Sequence, residues 1–166
     1  MAAGATYEPL ATTTLTSTAS TITFSSISGS YTDLIIVSKW MPTSGGNYNV
    51  LMRYNSDSGS NYSTTDVWGD SGGAQAARVL SATGIGLISG NSLVPREPFC
   101  IIQIMNYSNS TTYKTGLIRD GWADLWTRAN VNLWKSTSAI TTISFHTTNT
   151  NFEVGTNVTI YGIKAA

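Results

Sequence analysis

Hydrophobic positions in this chain alternate with polar ones over short stretches, and turn residues separate the stretches. Thr21-Ile22-Thr23-Phe24 puts Ile22 and Phe24 on one face of a strand. After the Gly29-Ser30 turn, Leu34-Ile35-Ile36-Val37 is apolar on both faces, which predicts a central strand covered on two sides. Residues 48–54 alternate most cleanly: Tyr48, Val50, Met52 and Tyr54 point one way, Asn49, Leu51 and Arg53 the other. A turn on Gly45-Gly46 precedes this strand, a polar loop at 55–61 follows it, and residues 62–68 read as another strand. Residues 99–107 and 113–119, joined by Ser108-Asn109-Ser110, read as a hairpin. Three more strands are predicted at 131–134, 140–146 and 158–163, the last tied into a sheet.

Elsewhere the alternation weakens. Gln75-Ala76-Ala77-Arg78-Val79-Leu80 has helix-forming residues and predicts a turn or two of helix, with a loop running on through Pro95 and Pro98. The Trp-bearing segment 122–129 is the other helical candidate. Residues 1–19 are small and polar and read as an extended N-terminal arm or a first edge strand. About nine strands separated by turns predict an all-β protein: a single-domain antiparallel β-sandwich, jelly-roll-like, over 20–166, with the arm at 1–19.

Composition supports the strand reading. Serine and threonine exceed a quarter of the chain, charged residues are 11%, and only three glutamates occur. Helix surfaces need Glu, Lys and Arg; Thr, Val, Ile and Tyr suit a pleated sheet. At 166 residues the chain suffices for one core. Nine basic and nine acidic residues give zero formal net charge, with no basic block to follow a phosphate backbone, so no nucleic-acid partner is expected. Neutrality removes the repulsion that keeps copies apart and mildly favours an assembled state. No apolar run reaches the ~18 residues of a membrane helix, so no membrane partner is expected. The start, Met1-Ala2-Ala3-Gly4-Ala5-Thr6, lacks the basic and apolar regions of a signal peptide.

Candidate chemistry is thin. Cys100 is alone in Phe99-Cys100-Ile101-Ile102 and reads as a buried thiol, with no disulfide and no cysteine metal site. Gly69-Asp70-Ser71-Gly72-Gly73 matches a nucleophile loop, and formally G-x-S-x-G. The lone histidine, His146, lies after Ser71, the wrong order for a chymotrypsin-like triad. The order Ser71, then Asp120 or Asp124, then His146 suits an α/β-hydrolase, but the strand–helix alternation of that fold is missing. A Gly-rich turn capping a short helix at 74–80 is the expected role. His146 reads as a strand-end residue. Asn55-Ser56-Asp57-Ser58-Gly59-Ser60-Asn61 offers one carboxylate and no closing glutamate, so a turn is expected instead of a calcium loop. Glycosylation sequons at Asn61, Asn106, Asn109 and Asn157 are read as compositional. The expectation is therefore no enzyme, no metal and no cofactor.

Tryptophans are the sharper signal. Trp40 and Trp134 adjoin strands and are expected in the core or at its rim, and Trp68 borders a loop. Trp122 and Trp126 lie in an irregular polar segment. They are candidates for an interface, for anchoring the loop, or, with Asp120 and Asp124, for binding a sugar. Tyr7, Pro9 and Leu10 of the N-terminal segment join Trp122 and Trp126 as candidate interface residues.

The two ends carry a resemblance. Thr6-Tyr7-Glu8-Pro9-Leu10-Ala11-Thr12-Thr13-Thr14-Leu15, Ile22-Thr23-Phe24-Ser25-Ser26-Ile27 and Tyr31-Thr32-Asp33-Leu34 resemble the start of small structural proteins of tailed bacteriophages, cyanophages included. Asn157-Val158-Thr159-Ile160-Tyr161-Gly162-Ile163-Lys164-Ala165-Ala166 resembles their C-terminus. Between them, Arg53-Tyr54-Asn55-Ser56-Asp57-Ser58-Gly59-Ser60-Asn61-Tyr62-Ser63, Asn106-Tyr107-Ser108-Asn109-Ser110-Thr111-Thr112-Tyr113-Lys114 and Leu133-Trp134-Lys135-Ser136-Thr137 fit the same pattern. The resemblance implies a virion protein and carries no catalytic residues. It leaves two roles open: a capsid decoration (cement) protein on the major capsid protein, with a homotrimer favoured, or a tail-fibre head gripping a host glycan. The chain shows no stem, coiled coil or collagen-like repeat before the sandwich, which favours decoration and a place on the capsid surface.

Overall fold

The computed structural model describes residues 6–41, 46–92, 97–148 and 150–164. These form twelve strands: β1 (Tyr7–Thr14), β2 (Thr21–Phe24), β3 (Asp33–Lys39), β4 (Gly46–Tyr54), β5 (Tyr62–Asp70), β6 (Gly73–Ala82), β7 (Ile85–Ser92), β8 (Phe99–Met105), β9 (Lys114–Trp122), β10 (Trp126–Trp134), β11 (Ile143–Thr147) and β12 (Asn157–Ile163). They build an antiparallel β-sandwich, as the alternation predicts. The large sheet has the order β1-β12-β3-β8-β9-β10-β5-β6; the small one, β2-β11-β4-β7. The turn expected on Gly45 and the loop expected at Pro95 fall outside the described residues, as does the side chain of Tyr48.

The core lies between the sheets. Leu34, Ile36, Ile102, Ile104, Ile118, Val158 and Ile160 enter it from the large sheet. Ile22, Phe24, Val50, Met52, Tyr54 and Phe145 enter from the small one. Trp40 is fully buried, its ring 5.2 Å from those of Phe145 and Phe152. Trp134 stacks on Tyr62 at 6.4 Å and donates its indole N–H to Asp57 Oδ2 at 2.7 Å. That bond pulls the Asp57 carboxyl below its ordinary range, against its partial burial. Asp57 also accepts from Gly59 N and Asn61 Nδ2, so the polar segment 55–61 is a turn strapped to the core. Cys100 is buried, and burial pushes its thiol well up.

Several expectations are corrected. Twelve strands replace nine because β1, β6 and β7 lack the alternation that exposes a strand to view in the sequence. Residues 75–80 are not helical: β6 pairs with β5 from Asp70↔Gly73 to Tyr62↔Ala82. Cross-strand hydrogen bonding outweighs a helix preference of a few tenths of a kcal/mol per residue. Segment 122–129 is the end of β9, a tight turn and the start of β10, with Trp122 opposite Trp126. A Cβ on Gly121 would lie 2.5 Å from Trp126 O, so only glycine lets the two strands close there. Leu34-Ile35-Ile36-Val37 is central in its sheet but covered on one side: Val37 is 43% exposed.

Within the N-terminal segment, read as an arm or an edge strand, Tyr7–Thr14 forms an edge strand. β1 pairs with β12, and Leu10 packs against the core. Tyr31 donates its hydroxyl to Glu8 Oε2 at 2.7 Å, and Lys164 pairs with Glu8 Oε1 at 2.5 Å. The Tyr31 ring occupies the space a side chain at Gly162 would need.

Candidate functional site

The large sheet is twice as wide in strands as the small one, eight against four, so the small sheet does not cover it throughout. Its inward face changes chemistry from one side to the other. One cross-strand row runs Ile36, Ile102, Ile118, Asn130, Asp66 and Ala77, from β3 through β6. The next runs Ser38, Cys100, Asp120, Arg128, Trp68 and Gln75. The first becomes polar on β10 and β5; the second already carries Ser38 and Asp120 and ends in Arg128, Trp68 and Gln75. The small sheet ends at β7, and the polar end of the rows continues past it.

Arg128 ties the two sheets at that border. Its Nε donates to Asp120 Oδ1 at 2.9 Å and its Nη2 to Asp120 Oδ2 at 2.5 Å. Nη2 also donates to the β7 carbonyls of Gly86 and Leu87, at 3.2 and 2.8 Å. Its guanidinium stands 5.6 Å from the Trp126 ring centroid, a cation–π distance. The Asp120 side chain is fully buried, and burial pushes its carboxyl up against the opposing pull of Arg128.

Beyond β7 lies a groove of about 340 Å³ lined by Asp66, Trp68, Asp70, Ala77, Trp126 and Arg128. Asp66 is buried, and its Oδ1 has no hydrogen-bond partner; Arg128 Nη1 stands 3.6 Å away. Asp70 accepts from Gly72 N and from Gln75 Nε2, which orders the Ser71-Gly72 turn between β5 and β6.

The outward face of the same sheet is different. Val37, Phe99, Leu117, Val67 and Val131 are 42–57% exposed. The row Val37, Ile101, Arg119, Ala129, Val67 and Ala76 crosses five of its ladders. A shallow trough of about 880 Å³ lies over Val67, Phe99, Ile101 and Ala129. β6 itself is exposed on both faces.

The sequence-stated candidates scatter over this frame. Trp126 lines the groove, half-buried. Trp122 is 2% exposed and its ring is off the surface. Tyr7 and Pro9 are exposed on β1. Asp120 is locked to Arg128 while Asp124 is exposed in the hairpin turn, so these two carboxylates do not face one cleft. Ser71 sits exposed in the β5–β6 turn, and His146 lies in the other sheet with Ser144 and Thr21 as partners, so the catalytic lure has no geometry. Burial holds the His146 pKa below its ordinary value. Asp66 and Arg128 were not singled out from the sequence, Trp68 was read only as bordering a loop, and Asp70 only as part of a Gly-rich turn. Their signal was the in-phase pattern Thr64, Asp66, Trp68, Asp70 with Trp126, Arg128, Asn130, Asn132: two strands whose polar residues share the inward face.

Among the described residues, no group of three or more His, Cys, Asp or Glu is placed to hold a metal ion, and no helix is long and apolar enough to cross a membrane. No family model matches the sequence, and no curated protein matches it. Among solved structures, galectin LEC-6 of Caenorhabditis elegans is 8% identical with a TM-score of 0.35, over 93% of this chain and 96% of that one. An alginate lyase variant in complex with alginate tetrasaccharide is 10% identical with a TM-score of 0.27, over 81% and 70%. At such scores neither likeness carries an argument about what this chain does.

Proposed function

We propose that this chain is a structural protein of a tailed-phage virion: a capsid decoration protein that sits on the major capsid protein through the outward face of its large sheet. The observation that carries the reading is that face. Val67 and Val131 are 57% and 50% exposed there, in a molecule with zero formal net charge. Contiguous exposed apolar surface beyond a few hundred Å² marks an interaction site. Eight strands about 4.8 Å apart make a sheet roughly 38 Å wide. That is wide enough for the ~800 Å² per partner of a stable interface. The resemblance of both chain ends to phage structural proteins supplies the partner.

Attachment is hydrophobic and multivalent in this reading. A homotrimer presents three such faces, and weak single contacts multiply. Few charges mean that attachment should hold from about 0.05 to 0.5 M salt, because screening acts on charge pairs. Because β1 is already paired with β12, the N-terminal segment acts as part of the sandwich and not as a reaching arm.

Cryo-electron microscopy of the particle tests the location. Many copies at symmetric junctions of the shell, outward face down, are expected. A few copies at the tail tip would move the protein to the tail, and absence from the particle would end the virion reading. Val67→Glu with Val131→Glu should abolish co-sedimentation with particles lacking the native protein.

A further inference from the structure

We infer that the groove beyond β7 is a binding site for a neutral saccharide. The inference does not rest on the docking role: Val67 and Val131, the residues that test docking, alternate along β5 and β10 with Asp66, Trp68 and Arg128 and so face the other side of the sheet.

Three observations carry it. First, the groove is built from the sheet itself: Asp66, Trp68 and Asp70 alternate on β5, and Trp126 and Arg128 on β10. Their spacing is set by two ladders that run in register from Thr64 to Asp70, past the irregularity at Tyr62/Thr64 of the β5–β6 ladder, a firmer base than a loop. Second, polar capacity there is left unused. Asp66 is 7% exposed, lines the groove, and holds an acceptor oxygen without a hydrogen bond. Arg128 spends Nε and Nη2 on Asp120 and β7, leaving Nη1 with only the 3.6 Å contact to Asp66. Buried polar atoms in this state cost free energy that a ligand hydroxyl relieves. Third, the groove pairs these groups with two half-buried indoles, Trp68 and Trp126. A pyranose has that mixed character: an apolar C–H face for an indole and a rim of hydroxyls that donate to carboxylates and accept from a guanidinium.

Charge selects the class. Asp66 and Asp70 outnumber Arg128 two to one in the lining, and Arg128 is already paired with Asp120, so an anionic ligand such as a uronate, sialate or phosphate is repelled. The volume of about 340 Å³ is at the low end for small-molecule sites and fits roughly one or two sugar rings. Ala77, exposed on β6, leaves the groove open on that side.

The test uses the full chain on an array of neutral glucose-, galactose-, mannose- and N-acetylglucosamine-terminated glycans beside sialylated and uronic-acid glycans. Titration calorimetry follows on any glycan retained. Retention of a neutral glycan is expected, with affinity falling about tenfold or more in Asp66→Asn and Trp68→Ala. Ala77→Phe should do the same by filling the groove; it removes no packed side chain, so it separates a blocked site from a misfolded one. Val131→Glu, on the opposite face, should bind like the parent. Retention of only acidic glycans, no binding at about 10 mM neutral sugar, or binding unchanged in Ala77→Phe would each overturn the inference. Particle attachment is read separately, so either proposal can fail alone.

Discussion

Two regions of one sheet face obey the same alternation and end with opposite chemistry. On β3 and β8, every second residue turns inward and, apart from Ser38, is apolar: Leu34, Ile36, Cys100, Ile102 and Ile104. On β5 and β10, the same period turns Asp66, Trp68, Arg128 and Asn130 inward. The first region has the small sheet above it; the second runs past the last strand of that sheet. A polar group under a sheet would lose water without recompense, whereas one at the rim keeps part of its solvation or waits for a ligand. The change of residue type therefore marks where the sandwich stops being a core and becomes a site.

The comparison breaks most sharply on tryptophan. Trp40→Ala empties a fully buried aromatic cluster and should cost about 3–5 kcal/mol in denaturant unfolding. Trp126→Ala, at the groove, should cost roughly 1 kcal/mol. Equal costs would make the rim a second core and remove the distinction. The Asp120–Arg128 pair at the border comes next. Asp120→Ala strands a guanidinium whose side chain is only 16% exposed, and a loss of about 3–5 kcal/mol is expected at the upper end. Adding Arg128→Met should restore much of it. A double variant as weak as the single one would show that the polar rim contributes through something other than that pair.

A smaller effect separates the regions by pH. Asp57 is held below its ordinary value by the Trp134 indole N–H, so the folded state binds its proton less readily than the unfolded chain. Its contribution is therefore full above the unfolded value of about 3.9 and is lost as pH falls through the lower folded value. His146 acts in another window. Burial lowers its folded pKa, so stability declines as pH drops below the unfolded value of about 6.5, until the folded imidazole also takes a proton. Stability measured from pH 7 to pH 3 should show both steps, with Asp57→Asn shrinking only the acid one, which Glu8, held down by Lys164 and Tyr31, shares. A single step insensitive to Asp57→Asn would refute the Trp134 contact as its source. The smallest effect belongs to the outward face. Val131→Glu, at a half-exposed position, should change stability by no more than about 0.5 kcal/mol while particle attachment is lost. A large loss of stability would show that this face is packed within the protein's own fold.

Strands rich in alternating apolar residues were legible from the chain alone: 48–54, 99–107 and 113–119 correspond to β4, β8 and β9. β6 was not, because all but the last of its residues are exposed and its Ala-Gln-Ala-Ala-Arg run satisfies a helix locally. Only the ladder from β5 makes it a strand. Of the groove, Trp126 was legible as an aromatic outside a clear strand pattern. Arg128 was not, because its meaning comes from Asp120 across β9, Asp66 across β5 and two carbonyls of β7. Of the roles left open for Trp122, its burial fits anchoring of the turn, which adjacency to a polar segment does not reveal.

The sequence by itself determined that this protein is a β-sandwich with a hydroxyl-rich, nearly uncharged surface, because the two-residue period and the turn residues are local properties that act on each segment. Only the tertiary structure decided which strands flank which, that the N-terminal segment closes an edge, and that eight strands overhang four. Those outcomes depend on pairing between residues far apart in the chain. The overhang leaves the polar rim without a lid, and the two-layer architecture of the described residues leaves the outward apolar face without cover; the two proposed activities follow from those two surfaces.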